Sequence, residues 1–292
     1  MPSMSDIRFH IKSVKQTRQI TNAMHLVSAA RMRRALRGIE QNKLYFYRAV
    51  DAMQDILSHA VDTTHPYIKM REDAKKVAYI VVAGEKGLSG SYNHDVLSLA
   101  DKSMAGRDVA FVYTVGNIAT AYFTRRGVTV NENFAHIAED PTVNTARRMV
   151  TLLLEMYDKG EIDEVRIVFT RFVNSLVHEP TDTKLLPLEL SDFVPDHAVP
   201  EDRTEMLYDP SALEVFEALV PQFMIGYIYG AMVNAYASEN YSRMAAMENA
   251  TRSADEMIEK LTQQYHSVRQ LSITNELAEI VSAANAFDPE ER

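Results

Sequence analysis

Apolar residues in the first sixty positions recur at helical spacing. Ile7, Ile11 and Val14 form one set, and Ile20, Met24 and Val27 a second. The stripe is narrow, closer to a coiled-coil seam than to the broad face of a globular helix. Residues 5–58 hold no proline and one glycine, Gly38, among many good helix formers. The pattern predicts one helix of about 50 residues, with Ser5 as its N-cap, ending before Thr63-Thr64-His65-Pro66.

The pattern then changes. Val77–Ala83 is a continuous apolar run, which predicts a buried strand. Residues 92–104, 117–126 and 142–159 predict helices, with Gly160 closing the last. Residues 108–114, 128–130, 165–173 and 185–190 predict strands, the last at a sheet edge because it contains Pro187. Strands alternating with helices imply a mainly parallel sheet covered on both faces.

A second long helical pattern begins at Asp209-Pro210, read as an N-cap followed by proline at the first helical position. Pro221 predicts a break or kink. Met244, Met247, Ala254, Ile258, Leu261, Tyr265 and Val268 then fall on spacings of three, four or seven. After Leu271 the register shifts to Ile273, Leu277, Ile280 and Ala284. The predicted fold class is therefore α/β. Long N- and C-terminal helices form an antiparallel coiled coil, and a Rossmann-like α/β domain with a mainly parallel sheet lies between them. The divisions fall at 1–60, 75–200 and 209–288, the last segment pairing with the first. Two long helices wrapped over a single globule are the alternative.

Composition narrows the chemistry. There is no cysteine, which excludes disulfides, thiolate metal sites and cysteine nucleophiles. No run of about 18 apolar residues predicts a membrane span, and MPSMSDIRFHIK lacks the apolar core of a signal peptide. Net charge is −9, yet residues 1–39 carry +7, leaving −16 for the remainder. The basic cluster Arg31, Arg33, Arg34 and Arg37 suits either nucleic-acid phosphates or an acidic protein surface. No aromatic residues interleave the arginines for base stacking, and the acidic remainder repels a polyanion. A protein partner is the better reading.

GEKGLSGSYN, residues 84–93, follows the first strand where phosphate loops and nucleophilic serines sit. A Walker A loop needs glycine at 89, which is Ser89, and a following Lys-Ser or Lys-Thr, which is missing. The dinucleotide fingerprint fails because the glycines stand at 84, 87 and 90. The serine elbow comes nearest, with Ser89 in place and the last glycine one position early. Glycines that supply positive φ and a close helix–strand approach are the simpler reading. Glu132, His136, Glu139 and Asp140 gather without ligand spacing. His10 and His25 lie on the basic helix, where they face solvent or a partner.

Two motifs carry a family resemblance. Residues 11–24, IKSVKQTRQITNAM, with 26–35, LVSAARMRRA, resemble the N-terminal helix of the gamma subunit of F-type ATP synthases. Ala237-Ser238-Glu239, Arg243-Met244, Ala246-Met247, Asn249-Ala250-Thr251 and Ala254 resemble its C-terminal helix. So do Arg269-Gln270, Ser272-Ile273-Thr274 and residues 276–281, ELAEIV. Between them, a Gly-Leu-x-Gly turn after the first strand follows the same plan.

The resemblance implies a rotor without a catalytic site, cofactor or metal of its own. Its implied partners are the alpha and beta subunits, the epsilon subunit and the membrane c ring. It implies no nucleic acid, no direct membrane insertion, and a peripheral place on the cytoplasmic face of the cell membrane. Met24, Arg31, Arg33, Arg34, Arg243, Arg269, Gln270, Thr274 and Glu276 are the implied partner interface. Met24 lies by acidic loops of beta, and the residues from Arg243 onward lie at contacts with beta near the shaft and tip. A serine hydrolase using Ser89 and a nucleic-acid-binding coiled coil are the alternatives. Ser89 stands where many members carry Cys or Ala, and the acidic tail after Ala286 is longer than the family pattern.

Overall fold

The computed structural model describes residues 3–59, 65–68, 75–131, 134–175, 177–188, 208–209 and 211–286. Among the described residues, ten elements follow one another. They are α1 (Met4–His59), β1 (Lys76–Val82), α2 (Tyr92–Met104), β2 (Asp108–Val115), α3 (Asn117–Arg125), β3 (Val130–Asn131), α4 (Val143–Asp158), β4 (Glu164–Phe172), β5 (His178–Leu186) and α5 (Ala212–Ala286). The chain forms two compact units, Ser28–Arg243 and Met1–Val27 with Met244–Arg292. Both long helices cross the division, which the hydrophobic pattern had drawn at 60 and 209. Residues 189–207, Pro210 and the tail 287–292 lie outside the described residues, as do Thr63, Thr64 and Glu132.

Ser28–Arg243 is built on a five-stranded sheet of order β3-β2-β1-β4-β5. Pairs β1–β2, β1–β4 and β2–β3 are parallel, and β4–β5 is antiparallel. Alternation along β1 divides the core. Ala78, Ile80 and Val82 face one layer, where Met53 and Ile56 of α1, Met149 and Leu153 of α4, and Phe216, Met224 and Ile228 of α5 pack. Val77, Tyr79 and Val81 face the other, with Val96 of α2 and Ala119 and Phe123 of α3. Both faces are covered, so β1 reads as an unbroken apolar run. Thr142 caps α4, its hydroxyl accepting from Thr145 N at 3.2 Å, and Gly160 follows at φ 73°.

Three expectations change here. The fifth strand begins at His178 and ends at Leu186, before Pro187; residues 189–190 of the expected strand fall outside the described residues. HEPTDTK shows no apolar alternation because only Leu185 and Leu186 of β5 are buried; its strand geometry comes from pairing with β4. Pro221 does not break α5, which runs through it. The cost of about 3 kcal/mol for an interior proline is offset by burial of Phe216, Val220 and Met224 around it. Helix α5 also contains a stretch long and apolar enough to cross a membrane by length and composition alone, and half of that stretch is buried inside the fold. The helix itself starts at Ala212, with Ser211 Oγ accepting from Glu214 N at 3.3 Å. The cap expected at Asp209 is therefore at Ser211.

His178 sits between the rings of Phe172 and Tyr241, at centroid distances of 5.1 and 4.7 Å. Both ring nitrogens are buried without a hydrogen-bond partner among the described residues. Burial lowers its pKa. Below about pH 6.5, the ordinary histidine value, the unfolded chain takes up a proton that the folded ring refuses. Stability is therefore lost as pH falls through that value toward the depressed folded one. Replacing His178 with Phe should flatten the decline in melting temperature between pH 7 and 5 relative to wild type. An identical pH slope in the variant would show that the ring protonates within the fold.

The other unit is an antiparallel helix pair. Arg18 of α1 bonds Asp255 of α5, and the hydroxyls of Thr21 and Thr251 meet at 2.8 Å. On α1 the buried positions are Ile7, Val14 and Thr21, and the seven-residue interval continues to Ser28 and Ala35. On α5 Met247 and Ala254 are buried, with Thr251, Ile258, Leu261, Tyr265 and Val268 half-buried. This is a heptad seam. It corrects the expected continuation through Ile20, Met24 and Val27. Ile20 and Val27 are 61% and 52% exposed, because each precedes a seam residue and points about 100° away from it. Polar Arg18 and Thr21 sit at the seam because α5 supplies a partner for each. The N-cap moves too, since Ser3 Oγ accepts from Asp6 N at 3.2 Å while Asp6 accepts from Ser3 N at 3.1 Å.

Candidate functional site

In an open α/β sheet, ligands bind beyond the carboxyl ends of the strands where the strand order reverses. Here that place lies beyond β1 and β4, and the loop 84–91 occupies it. Several of its donors and acceptors are engaged within the chain. Gly84 N donates to Asn93 Oδ1 at 2.8 Å, and Gly84 O accepts from Ile118 N at 3.2 Å. Glu85 accepts from Asn117 Nδ2 at 2.7 Å and from Asn117 N at 3.3 Å, at the start of α3, which has no side-chain cap of its own. His136 Nδ1 stands 3.2 Å from the same carboxylate. Lys86 Nζ donates to Glu139 at 3.0 Å, and that hydrogen bond holds the Glu139 carboxyl below the usual range.

The space under the loop is filled by α5. Arg243 donates to Lys86 O at 3.2 Å and Gly87 O at 3.3 Å, and to Glu239 one turn back. A Cβ at residue 84 would stand 2.7 Å from Glu239 Oε1 and 3.0 Å from Asn93 Oδ1. Gly84 is therefore required by close approach rather than by positive φ. Burial raises the Glu239 pKa, and Arg243 opposes the rise. The arginine under the loop is directed at carbonyl oxygens and a carboxylate of the chain itself.

Ser89 is 1% exposed, and its hydroxyl accepts from Asn93 Nδ2 at 3.2 Å. It has neither access to a substrate nor a histidine base among its hydrogen-bond partners. Among the described residues, no group of three His, Asp or Glu side chains could hold a metal ion. Positive φ occurs at Gly90 (59°) and at Leu88 (63°), a non-glycine that is 65% exposed. In the sequence Leu88 was visible only as the apolar member of the Gly-Leu-x-Gly turn, with no sign of its backbone conformation.

The residues expected at a partner interface divide by exposure. Arg33 and Arg34 are exposed and Arg31 half-buried, with Arg31 3.7 Å from Glu139. Met24 is half-buried, and Arg269, Gln270, Thr274 and Glu276 are exposed. Arg243 departs from this pattern, since its guanidinium is buried and engaged with the chain's own loop. The sequence could not show this, because its loop partners lie more than 150 residues away. In the helix-pair unit the seam places the start of α1 beside Val268. Beyond it, Leu271, Ile273, Leu277, Ile280 and Val281 are 44–64% exposed. The new stripe expected after Leu271 is present and uncovered.

Comparison with known proteins agrees with this architecture. A family model described as ATP synthase matches residues 3–287. The chain is 38% identical to the ATP synthase gamma chain of Ruminiclostridium cellulolyticum, over 98% of this chain and 99% of the relative. It is 39% identical to that of Caldanaerobacter subterraneus subsp. tengcongensis, over 96% and 98%. Among solved structures, a chain of the Euglena gracilis mitochondrial ATP synthase (OSCP/F1/c-ring, rotational state 3) superposes with a TM-score of 0.64 at 15% identity. That match covers 97% of this chain and 94% of the other. Two long helices joined in a heptad seam, an α/β sheet whose first loop is held by an arginine of the second helix, and full-length relatives at this identity place the chain in the ATP synthase gamma-chain family.

Proposed function

We propose that this chain is the central rotor stalk of an F-type ATP synthase. It carries rotation of the membrane c ring to the alpha and beta subunits and so couples proton flow to ATP synthesis or hydrolysis. It is a non-catalytic subunit of that membrane-associated complex, with epsilon as a further partner. The carrying observation is the helix pair, whose seam is closed along α1 while apolar and charged residues remain uncovered on its outer faces. A shaft needs stiffness over length, and outer faces that meet several partner states in turn. Exposed Phe9, Ile20 and Val27 on α1 join Met24 in one such face. We assign the remaining partner surface to Arg31, Arg33 and Arg34, which suit acidic loops of beta, and to Arg269, Gln270, Thr274 and Glu276. Its place is peripheral, on the cytoplasmic face of the membrane.

Mixing the chain with alpha, beta and epsilon subunits and the membrane sector tests the assignment. The expected result is restored ATP-driven ion pumping, with no hydrolysis of ATP or esters by the isolated chain. Replacing Ser89 with Ala should leave pumping unchanged and lower stability by no more than about 1.5 kcal/mol for one lost hydrogen bond. An esterase activity of the purified chain that vanished with Ser89 would overturn the rotor reading. So would salt-sensitive DNA or RNA binding of specific strength.

A further inference from the structure

We propose that Glu239 and Arg243 are positioning residues that latch the loop 84–90 to α5, so that this loop and the sheet it caps move with the helix as one body. The inference rests on the rotor reading above and adds to it a joint. The apolar core already holds α5 against the sheet, but apolar packing is non-directional and fixes no loop conformation. The loop needs fixing, because Leu88 is held at φ 63°. A left-handed residue with a side chain is strained and persists only where its surroundings over-determine it. Arg243 grips the two carbonyls immediately before Leu88, those of Lys86 and Gly87. Glu239 holds the Arg243 guanidinium from one turn back, and its carboxylate lies close under Gly84, 2.7 Å from where a Cβ would stand. The arginine therefore reaches the loop carbonyls from a fixed position on the helix. A second tie, Lys86 to Glu139, reaches Arg31 of α1.

The geometry also explains why a buried ion pair is used. A guanidinium offers several donors in a fixed fork and can hold two carbonyls and a carboxylate at once. A lysine in its place offers a point charge with less reach. Glu239 is 3% and Arg243 9% exposed, so neither is free to contact a partner in this chain. Their influence on the complex must pass through the loop they hold and through the exposed Leu88 at its tip.

Amide hydrogen exchange on the full chain and ion pumping by the assembled complex together test the latch. Replacing Arg243 with Ala should speed exchange across residues 84–91 at least tenfold while the β1 amides stay protected. In the complex it should lower the ratio of ion pumping to ATP hydrolysis, and Arg243→Lys should restore that ratio in part. If Arg243→Ala does not fold, Glu239→Gln decides. It preserves shape and removes the charge, and it should give the same changes to a smaller degree. Unchanged exchange in the loop would overturn the latch. Faster exchange with an unchanged pumping ratio would overturn the positioning role. A wild-type complex that fails to pump would instead overturn the rotor reading before any variant is made.

Discussion

Replacing Gly116 with Ala should destabilise the Ser28–Arg243 unit by at least about 4 kcal/mol, the range in which a single substitution points to one dominant defect. Gly116 lies between β2 and α3 at φ 96° and ψ 138°, a region closed to residues with a Cβ. A Cβ there would stand 2.3 Å from Ala83 O and 2.8 Å from Gly84 O. Both are backbone atoms at the end of the central strand, and neither can rotate away. Relief would require moving the loop 84–91, whose ties reach α2, α3 and α5. The expected fall in melting temperature is on the order of 10 °C, given about 2–4 °C per kcal/mol for a chain of this size. Gly90 is the control. It also has positive φ (59°), but nothing lies within 4 Å of its Cβ position. Gly90→Ala should cost only the backbone term of about 1–2 kcal/mol. Equal losses in the two variants would show that backbone conformation, rather than the clash, sets the cost.

Removing α5 from Leu271 onward should leave the melting temperature within about 2 °C of the full chain and sharply reduce pumping relative to hydrolysis in the assembled complex. Leu271, Leu277 and Ile280 are 52%, 57% and 64% exposed, so little apolar burial is lost from the free chain. A helical segment of this length without a packing partner is only marginally stable in water. An uncovered stripe of large aliphatic side chains marks an interaction site. Thr274 and Glu276 leave with it, which removes two of the proposed contacts with beta. A large fall in melting temperature would mean that the segment packs within the free chain. Undiminished pumping would mean that this end of the helix transmits nothing.

The fold was legible wherever period and punctuation agreed. Helix α2 has the span that the sequence predicts, and Val77–Ala83 differs from β1 by one residue at each end. A buried parallel strand is apolar on both faces, so burial itself writes the signal. β5 was half missed because an antiparallel edge strand needs only one good neighbour, and HEPTDTK carries no period of two. The long helices were visible from composition, whereas their seam was misplaced after Val14. A heptad is a property of two helices. Arg18 and Thr21 carry no apolar signal, and their place at the seam appears only when the facing residues of α5 supply a salt bridge and a hydroxyl.

The sequence by itself determined that no cysteine chemistry occurs, that a sheet lies between two unusually long helices, and that 84–93 matches no phosphate or nucleophile template. It also determined the family, because two long motifs survive in order at the two ends of the chain. Only the tertiary structure decided which apolar residues on α1 are buried and which are exposed. The physical reason is that side chains 100° apart on one helix have the same local propensity, and differ only in what stands opposite. Only the tertiary structure showed that Arg243 is buried within the chain. The family motif had put it at a partner contact, and the groups that allow its burial, Glu239 and the carbonyls of Lys86 and Gly87, converge only when α5 lies across the end of β1.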